Sequence, residues 1–140
     1  MPSWKRTSNR VEELLLIASA LVAMAGAQPP DGKIGIEEAR KLAYEAVKVH
    51  NPDATLISSP RAFDPDFYFF AATWPNPTGS PIIGYFAVNP WTGDVWNAAG
   101  CEHPTSKSIE KLQQEIRRRS HFKRGEYTRL RAKKPICDSD

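Results

Sequence analysis

Cys101 and His103 are separated by a single residue and form the closest cysteine–histidine pair in the sequence. A structural zinc site takes four ligands, and no second pair accompanies this one. A cysteine–histidine nucleophile would instead need a thiol of lowered pKa beside an oriented base, and no motif around Cys101 supplies either. Asp64 and Asp66 flank Pro65, the pattern of turn aspartates that cap their own backbone rather than of paired acid and base. The sequence holds no glycine-rich phosphate loop, no Gly-x-Ser-x-Gly elbow and no His-Glu-x-x-His helix. These residues point away from an enzyme and from any bound metal or cofactor. Cys101 and Cys137 can instead join: an even pair of cysteines in an exported chain closes one disulfide, with two free thiols as the alternative. In the chain-entropy view that bridge stabilises the fold by about 3–4 kcal/mol.

Aromatic and basic side chains offer a different capability, contact with a partner. Trp74 borders the proline-rich stretch 75–81, Trp91 sits at the apex of a tight turn where exposure is expected, and Tyr85 lies on the strand between them. Aromatics at loop tips beside rigid strands are favoured interface residues. Roofing the core is the alternative for these aromatics, open for Trp91 and expected for Trp96. From Lys107 to Lys134 there are eleven basic residues against three acidic ones, although the whole chain carries a formal charge of only +3. Arg117 and Arg118 lie within that run and join Trp74, Tyr85 and Trp91 as candidate partner contacts. Such a run is most often a solvated face; its functional readings are anionic lipid, nucleic acid or an acidic protein.

The elements that must position these residues are legible from periodicity. Ile36, Ala39, Leu42, Ala43, Ala46 and Val47 recur at three- and four-residue spacing, which predicts a helix from about Ile36 to His50, with Gly35 at its N-cap and Asn51-Pro52 as its stop. A short strand is expected over 54–59 and an aromatic one over 67–74, both faces of which are apolar, as in a central strand or one covered on both sides. The proline-rich loop leads to a strand over 82–89. Asn89-Pro90-Trp91-Thr92-Gly93-Asp94 then makes a turn in which Pro90 pre-sets φ and Gly93 supplies a positive φ, before a last short strand over 95–97. Ile109, Leu112 and Ile116 predict a second helix over about 107–120, capped by Thr105 or Ser106. The fold class is therefore α+β: an N-terminal helix, a short antiparallel meander of three to four strands, a C-terminal helix and a basic tail.

The first residues differ in kind from this domain. Lys5, Arg6 and Arg10 precede the apolar run from Leu14 to Ala25, and Ala23-Met24-Ala25 and Ala25-Gly26-Ala27 offer small residues for cleavage. That order predicts a signal peptide over 1–27 and a periplasmic or secreted protein. Glu12 and Glu13 abut the apolar run and leave an uncleaved, peripheral N-terminal helix as the alternative. The expected organisation is thus a signal peptide over 1–27, a linker over 28–33, the α+β domain over 34–120 and a basic tail over 121–140, weakly ordered except where Cys137 ties it down.

The start Ile36-Glu37-Glu38-Ala39 and the segment Tyr85-Phe86-Ala87-Val88-Asn89-Pro90-Trp91-Thr92-Gly93-Asp94-Val95 resemble bacterial PepSY and PepSY-like domains, which carry a similar strand, an Asp/Asn-Pro-x-Thr-Gly turn and a return strand. The same turn is similar to that of small bacterial immunity proteins of the NTF2-like fold, which neutralise toxins by binding them. The first resemblance implies a secreted, non-catalytic module that inhibits or docks on a protein, often a peptidase. The second implies a toxin-neutralising binder. In both, Asn89, Pro90, Thr92 and Gly93 have a structural role. An electrostatic adaptor that holds anionic lipid or nucleic acid on the basic segment is the reading from a different class; nucleic acid is the less favoured partner, and a membrane surface could be met through the basic tail.

Overall fold

The computed structural model describes residues 32–54, 56–61, 66–76, 78–79 and 81–137, and for 56–61 the backbone alone. The signal peptide expected over 1–27 lies outside these residues. None of the described helices is long and apolar enough to cross a membrane.

Helix α1 (Ile36–His50) starts at Gly35 and carries Glu37 and Glu38 in its first turn and Lys48 and His50 in its last, charges that suit the two ends of the helix dipole. Its buried stripe is Ala39, Leu42, Ala43, Ala46 and Val47. Three of these five are alanine, so the helix backbone can lie close to the sheet it covers. Asn51 ends the helix by donating its N–H to Val47 O, and Pro52 prevents its continuation.

Strands β1 (Leu56–Arg61), β2 (Tyr68–Thr73), β3 (Ile82–Val88) and β4 (Val95–Asn97) form one antiparallel sheet in the order β1-β2-β3-β4. Each strand pairs with its neighbour in sequence, with Phe70 opposite Phe86 and Val88 opposite Val95. Because side chains alternate across a strand, the sheet sorts its apolar residues into two layers. Phe70, Ala72, Phe86, Val88 and Val95 bury against α1, while Phe69, Ala87 and Trp96 bury on the other face together with Phe67 and Ala98. The doubly apolar β2 is thus a central strand covered on both sides, and Tyr85 and Cys101 pack at the margin of the second layer.

Helix α2 (Lys107–Arg119) opens at Ser106, whose Oγ accepts from the Ile109 N–H at 3.2 Å. Ile109 and Ile116 are its buried residues and complete the main core beside α1.

The tail differs from expectation. Residues 121–140 were to be weakly ordered, yet they contain a third helix, α3 (Arg124–Arg131). None of its residues is buried, so apolar periodicity could not announce it. It is held from outside its own sequence: Cys137 is bridged to Cys101, 36 positions away, and the Leu130 carbonyl accepts from Asn89 Nδ2 at 2.8 Å. The disulfide expected from the cysteine count is therefore present, and it fastens the very segment that lacks a core of its own.

Candidate functional site

The site grows from the β3–β4 connection. Asn89 is fully buried, and its Oδ1 accepts from the N–H groups of Trp91 at 3.0 Å and Thr92 at 3.2 Å, the side-chain-to-backbone pattern that lets asparagine close a turn. Thr92, also fully buried, donates its hydroxyl to Asp94 Oδ2 at 2.7 Å. Gly93 adopts φ 71° and donates to Asn89 O, while Asn89 N–H donates to Asp94 O at 2.8 Å. Three polar side chains are thereby taken out of water with their partners in place, which makes the turn a rigid platform rather than a loose loop.

Two helices lean on that platform. Gln113 of α2 donates to Gly93 O at 3.1 Å, and Arg131 of α3 places Nε 3.4 Å from Asp94 Oδ1. Between α2 and α3 they leave an open cleft of about 140 Å³, lined by Asp94, Glu110, Gln113, Gln114, Arg117, Tyr127 and Arg131. The Arg117 guanidinium lies over the Tyr127 ring, 5.2 Å from its centroid. Burial, with the Asp94 carboxylate adding to it, raises the Tyr127 pKa above the ordinary tyrosine value of 10.0. The phenol therefore keeps its proton at neutral pH and remains a donor. Well below pH 10.0 the phenol is neutral in folded and unfolded chains alike; as pH rises through 10.0 toward the raised folded value, the unfolded chain ionises first and stability falls. Tyr127→Phe should remove that part of the alkaline loss, read as a flatter dependence of the urea midpoint on pH between about 9 and 11.

The structure redistributes the residues singled out from sequence. Trp91 is half-buried rather than an exposed tip: Lys33 Nζ lies 5.2 Å and Lys133 Nζ 4.7 Å from its ring centroid, and Lys133 also reaches Asp66 at 3.4 Å. The reason is that the linker end and the segment after α3 both run past the turn, with Ile34 N–H donating to Pro90 O. Trp74 is exposed as expected, but it stands at the far end of the sheet. The seven-residue β3 separates the two tryptophans, about 20 Å of strand. Tyr85 is half-buried at the margin of the second apolar layer. Arg117 and Arg118 are both exposed on α2, and Arg117 lines the cleft. The five candidate contacts therefore do not form one patch; Arg117 is the member placed with the cleft, on the same turn-and-helix platform as Trp91.

Sequence reasoning missed Asp94, Gln113, Tyr127 and Arg131. The spacing Thr92-x-Asp94 after Asn-Pro was a readable sign of a side-chain ladder, since short polar side chains two residues apart bond across a turn. Tyr127 and Arg131 carried no such sign, because α3 has no apolar stripe to fix its rotation. His103 packs its ring on Trp96 with centroids 3.5 Å apart and donates Nδ1–H to Val95 O at 2.9 Å, so it braces β4. Among the described residues no three His, Cys, Asp or Glu side chains gather where they could hold a metal ion.

No family model matches this sequence, and no curated protein matches it significantly. The resemblance to PepSY domains gains no support from these comparisons. A solved chain from the structure of a type VI secretion system effector–immunity complex from Pseudomonas protegens does match in three dimensions, with a TM-score of 0.56 and 20% sequence identity. The match covers 72% of this chain and 88% of that one, so the two share a fold over nearly the whole length of the neighbour.

Proposed function

We propose that this protein is an exported, non-catalytic binding module of the immunity type, which neutralises a protein toxin by occupying it. The observation that carries the reading is the fold held in common with a chain of a type VI effector–immunity complex across 88% of that chain. Two features of the molecule support it. The Cys101–Cys137 bridge fits an oxidising compartment, which agrees with the signal-peptide pattern at the N-terminus. The Asn89–Asp94 platform spends its polar groups on holding the turn and the two helices in place, as a surface that must keep its shape for docking requires.

The test is growth. Proteins encoded beside this one in its native genome should be expressed singly in a bacterial host, each with and without an exported copy of this chain. One of them is expected to stop growth when alone, and the exported copy is expected to restore it, whereas a copy lacking residues 1–27 should rescue poorly. If none of those neighbours is toxic, or if the toxic one is unaffected by this chain, the immunity reading is wrong. Equal rescue by the copy lacking 1–27 would leave immunity standing and remove export.

A further inference from the structure

Among the described residues both apolar layers are drawn entirely from positions 34–116. Of residues 117–137, Pro135 alone is buried. Helix α3 is eight residues long with none of them buried, shorter than the about 12–15 residues at which an isolated helix becomes even marginally stable in water. The body of the fold can therefore keep its core without this segment, whereas the segment cannot keep its structure without its attachments. What it does is finish the platform. The Leu130 carbonyl accepts from Asn89 Nδ2, Arg131 pairs with Asp94, Tyr127 lies under the Arg117 guanidinium and Lys133 lies over the Trp91 ring. All four contacts fall on the β3–β4 turn or on α2 beside it, and none adds a side chain to either apolar layer. The cross-link that returns this segment to the body is the bridge from Cys137 to Cys101, across 36 positions. Neither cysteine is buried, and thiol–disulfide exchange depends on such access.

We infer that the Cys101–Cys137 bridge is a redox switch on partner binding: closed, it clamps α3 and residues 132–137 onto the β3–β4 turn and completes the platform; open, it releases that segment while the core of α1, the sheet and α2 stays folded. The inference rests on the binding-module reading above and supplies its regulation. Opening takes a dithiol reductant. One of its thiolates attacks a sulfur of the bridge, forming a mixed disulfide and releasing the other cysteine as a thiolate. The second thiolate of the reductant then displaces the first, so that the dithiol leaves as a disulfide and Cys101 and Cys137 each take up a proton. Two electrons pass from the dithiol to the bridge, and exchange with a disulfide oxidant runs the same steps backward. A reducing cytoplasm keeps such a bridge open and an oxidising compartment closes it, so the platform is completed after export. With the segment released, the Trp91 ring loses Lys133 from its face, and Asn89 and Asp94 lose the partners that α3 brings to them. A docking surface that must be rigid before contact is then rigid in the oxidised chain alone.

The experiment is acrylamide quenching of tryptophan fluorescence in the oxidised and the dithiothreitol-reduced protein, unmutated and as Trp91→Phe, beside urea unfolding of each form. Reduction is expected to add an acrylamide-accessible tryptophan in the unmutated protein and none in Trp91→Phe, and reoxidation should reverse the gain. The reduced protein should still unfold in a single cooperative transition, because its core is intact. Unchanged quenching on reduction would mean that the segment stays in place without the bridge and would overturn the proposal. Loss of the cooperative transition would overturn it too, since the bridge would then staple the whole fold. For binding, exported Cys137→Ser is put through the growth test at matched soluble amount, its fold checked by the same urea transition. It is expected to rescue less than the unmutated chain. Full rescue by Cys137→Ser removes the bridge from control of binding and leaves the immunity module intact. If no neighbour is toxic, the immunity reading fails and takes control of binding with it, whereas the quenching result still establishes or refutes the opening.

Discussion

Cys137→Ser should lower the unfolding free energy by about 4 kcal/mol, which for a domain of this size moves the melting temperature by roughly 15 °C. The estimate follows from the 36 positions that the bridge to Cys101 encloses, since the open chain regains the freedom that the loop denied it. Cys137 is the better of the two to replace, because Cys101 adopts φ 52° and its substitution would mix backbone effects with loss of the bond. The loss should also be unevenly distributed. With the bridge gone, α3 and the residues after it keep the Asn89–Leu130 hydrogen bond, the pair of exposed Arg131 with buried Asp94 and the exposed pair Lys133–Asp66, the last of which contributes at most about 1 kcal/mol. Having no buried residue, it should detach before the core opens. Hydrogen exchange is expected to show the amides of 124–131 losing protection far more than those of α1 and β2. The same pattern should follow simple reduction of the unmutated protein. An unchanged melting temperature, or uniform loss of protection, would mean that α3 is held by contacts other than those seen here.

Gly93→Ala is the second large effect. Gly93 has φ 71°, where a side chain costs about 1–2 kcal/mol, and a Cβ built there would lie 2.5 Å from Ile116 Cδ1 and 3.1 Å from Leu42 Cδ1. Both methyl groups belong to fully buried core residues, so neither can swing into solvent to make room. Overpacking of that kind adds about 1–3 kcal/mol, and the two terms together predict a loss of roughly 3 kcal/mol in chemical denaturation. Gly79 is the control. Its φ is 107°, but a Cβ there meets nothing within 4 Å, so Gly79→Ala should show the backbone strain without the clash. Equal losses at the two positions would remove the packing part of the explanation.

These two positions show what the sequence could and could not reveal. The turn around Gly93 was readable, because Asn-Pro-x-Thr-Gly states its own backbone angles and the alternating strands on either side fix where it falls. Helix α1 was readable to its end residues for a similar reason: a stripe of apolar side chains, a glycine before it and Asn51-Pro52 after it are all local signals. The tight approach of Ile116 to Gly93 was not, since it joins residues 23 positions apart through a packing contact that leaves no local trace. Helix α3 escaped entirely. Its order comes from a disulfide, a cation over Tyr127 and a hydrogen bond to Asn89, all of them supplied by distant parts of the chain.

The candidate site divides along the same line. Arg117 and Trp91 were chosen from residue type and position, and both stand on the platform that joins β3–β4 to the helices. Trp91 was expected to be an exposed tip because its turn is a hairpin end; the two lysines that flank its ring come from residues 33 and 133, which no local pattern brings together. Trp74 and Tyr85 were chosen on the same reasoning as Trp91, yet strand length carries Trp74 to the opposite end of the sheet and side-chain alternation turns Tyr85 toward the second apolar layer. The cleft depends on α3, so it could be no more visible than α3 itself.

The most direct measurement is a calorimetric titration of the purified toxic neighbour with the purified, disulfide-bonded protein, followed by assay of the toxin in the mixture. An immunity-type module should give one binding event at a ratio of one to one and a toxin whose activity disappears at that same ratio. Heat of binding with full toxin activity at saturation would make this chain a docking partner and not a neutralising one, and no binding to any neighbour would contradict the proposal outright.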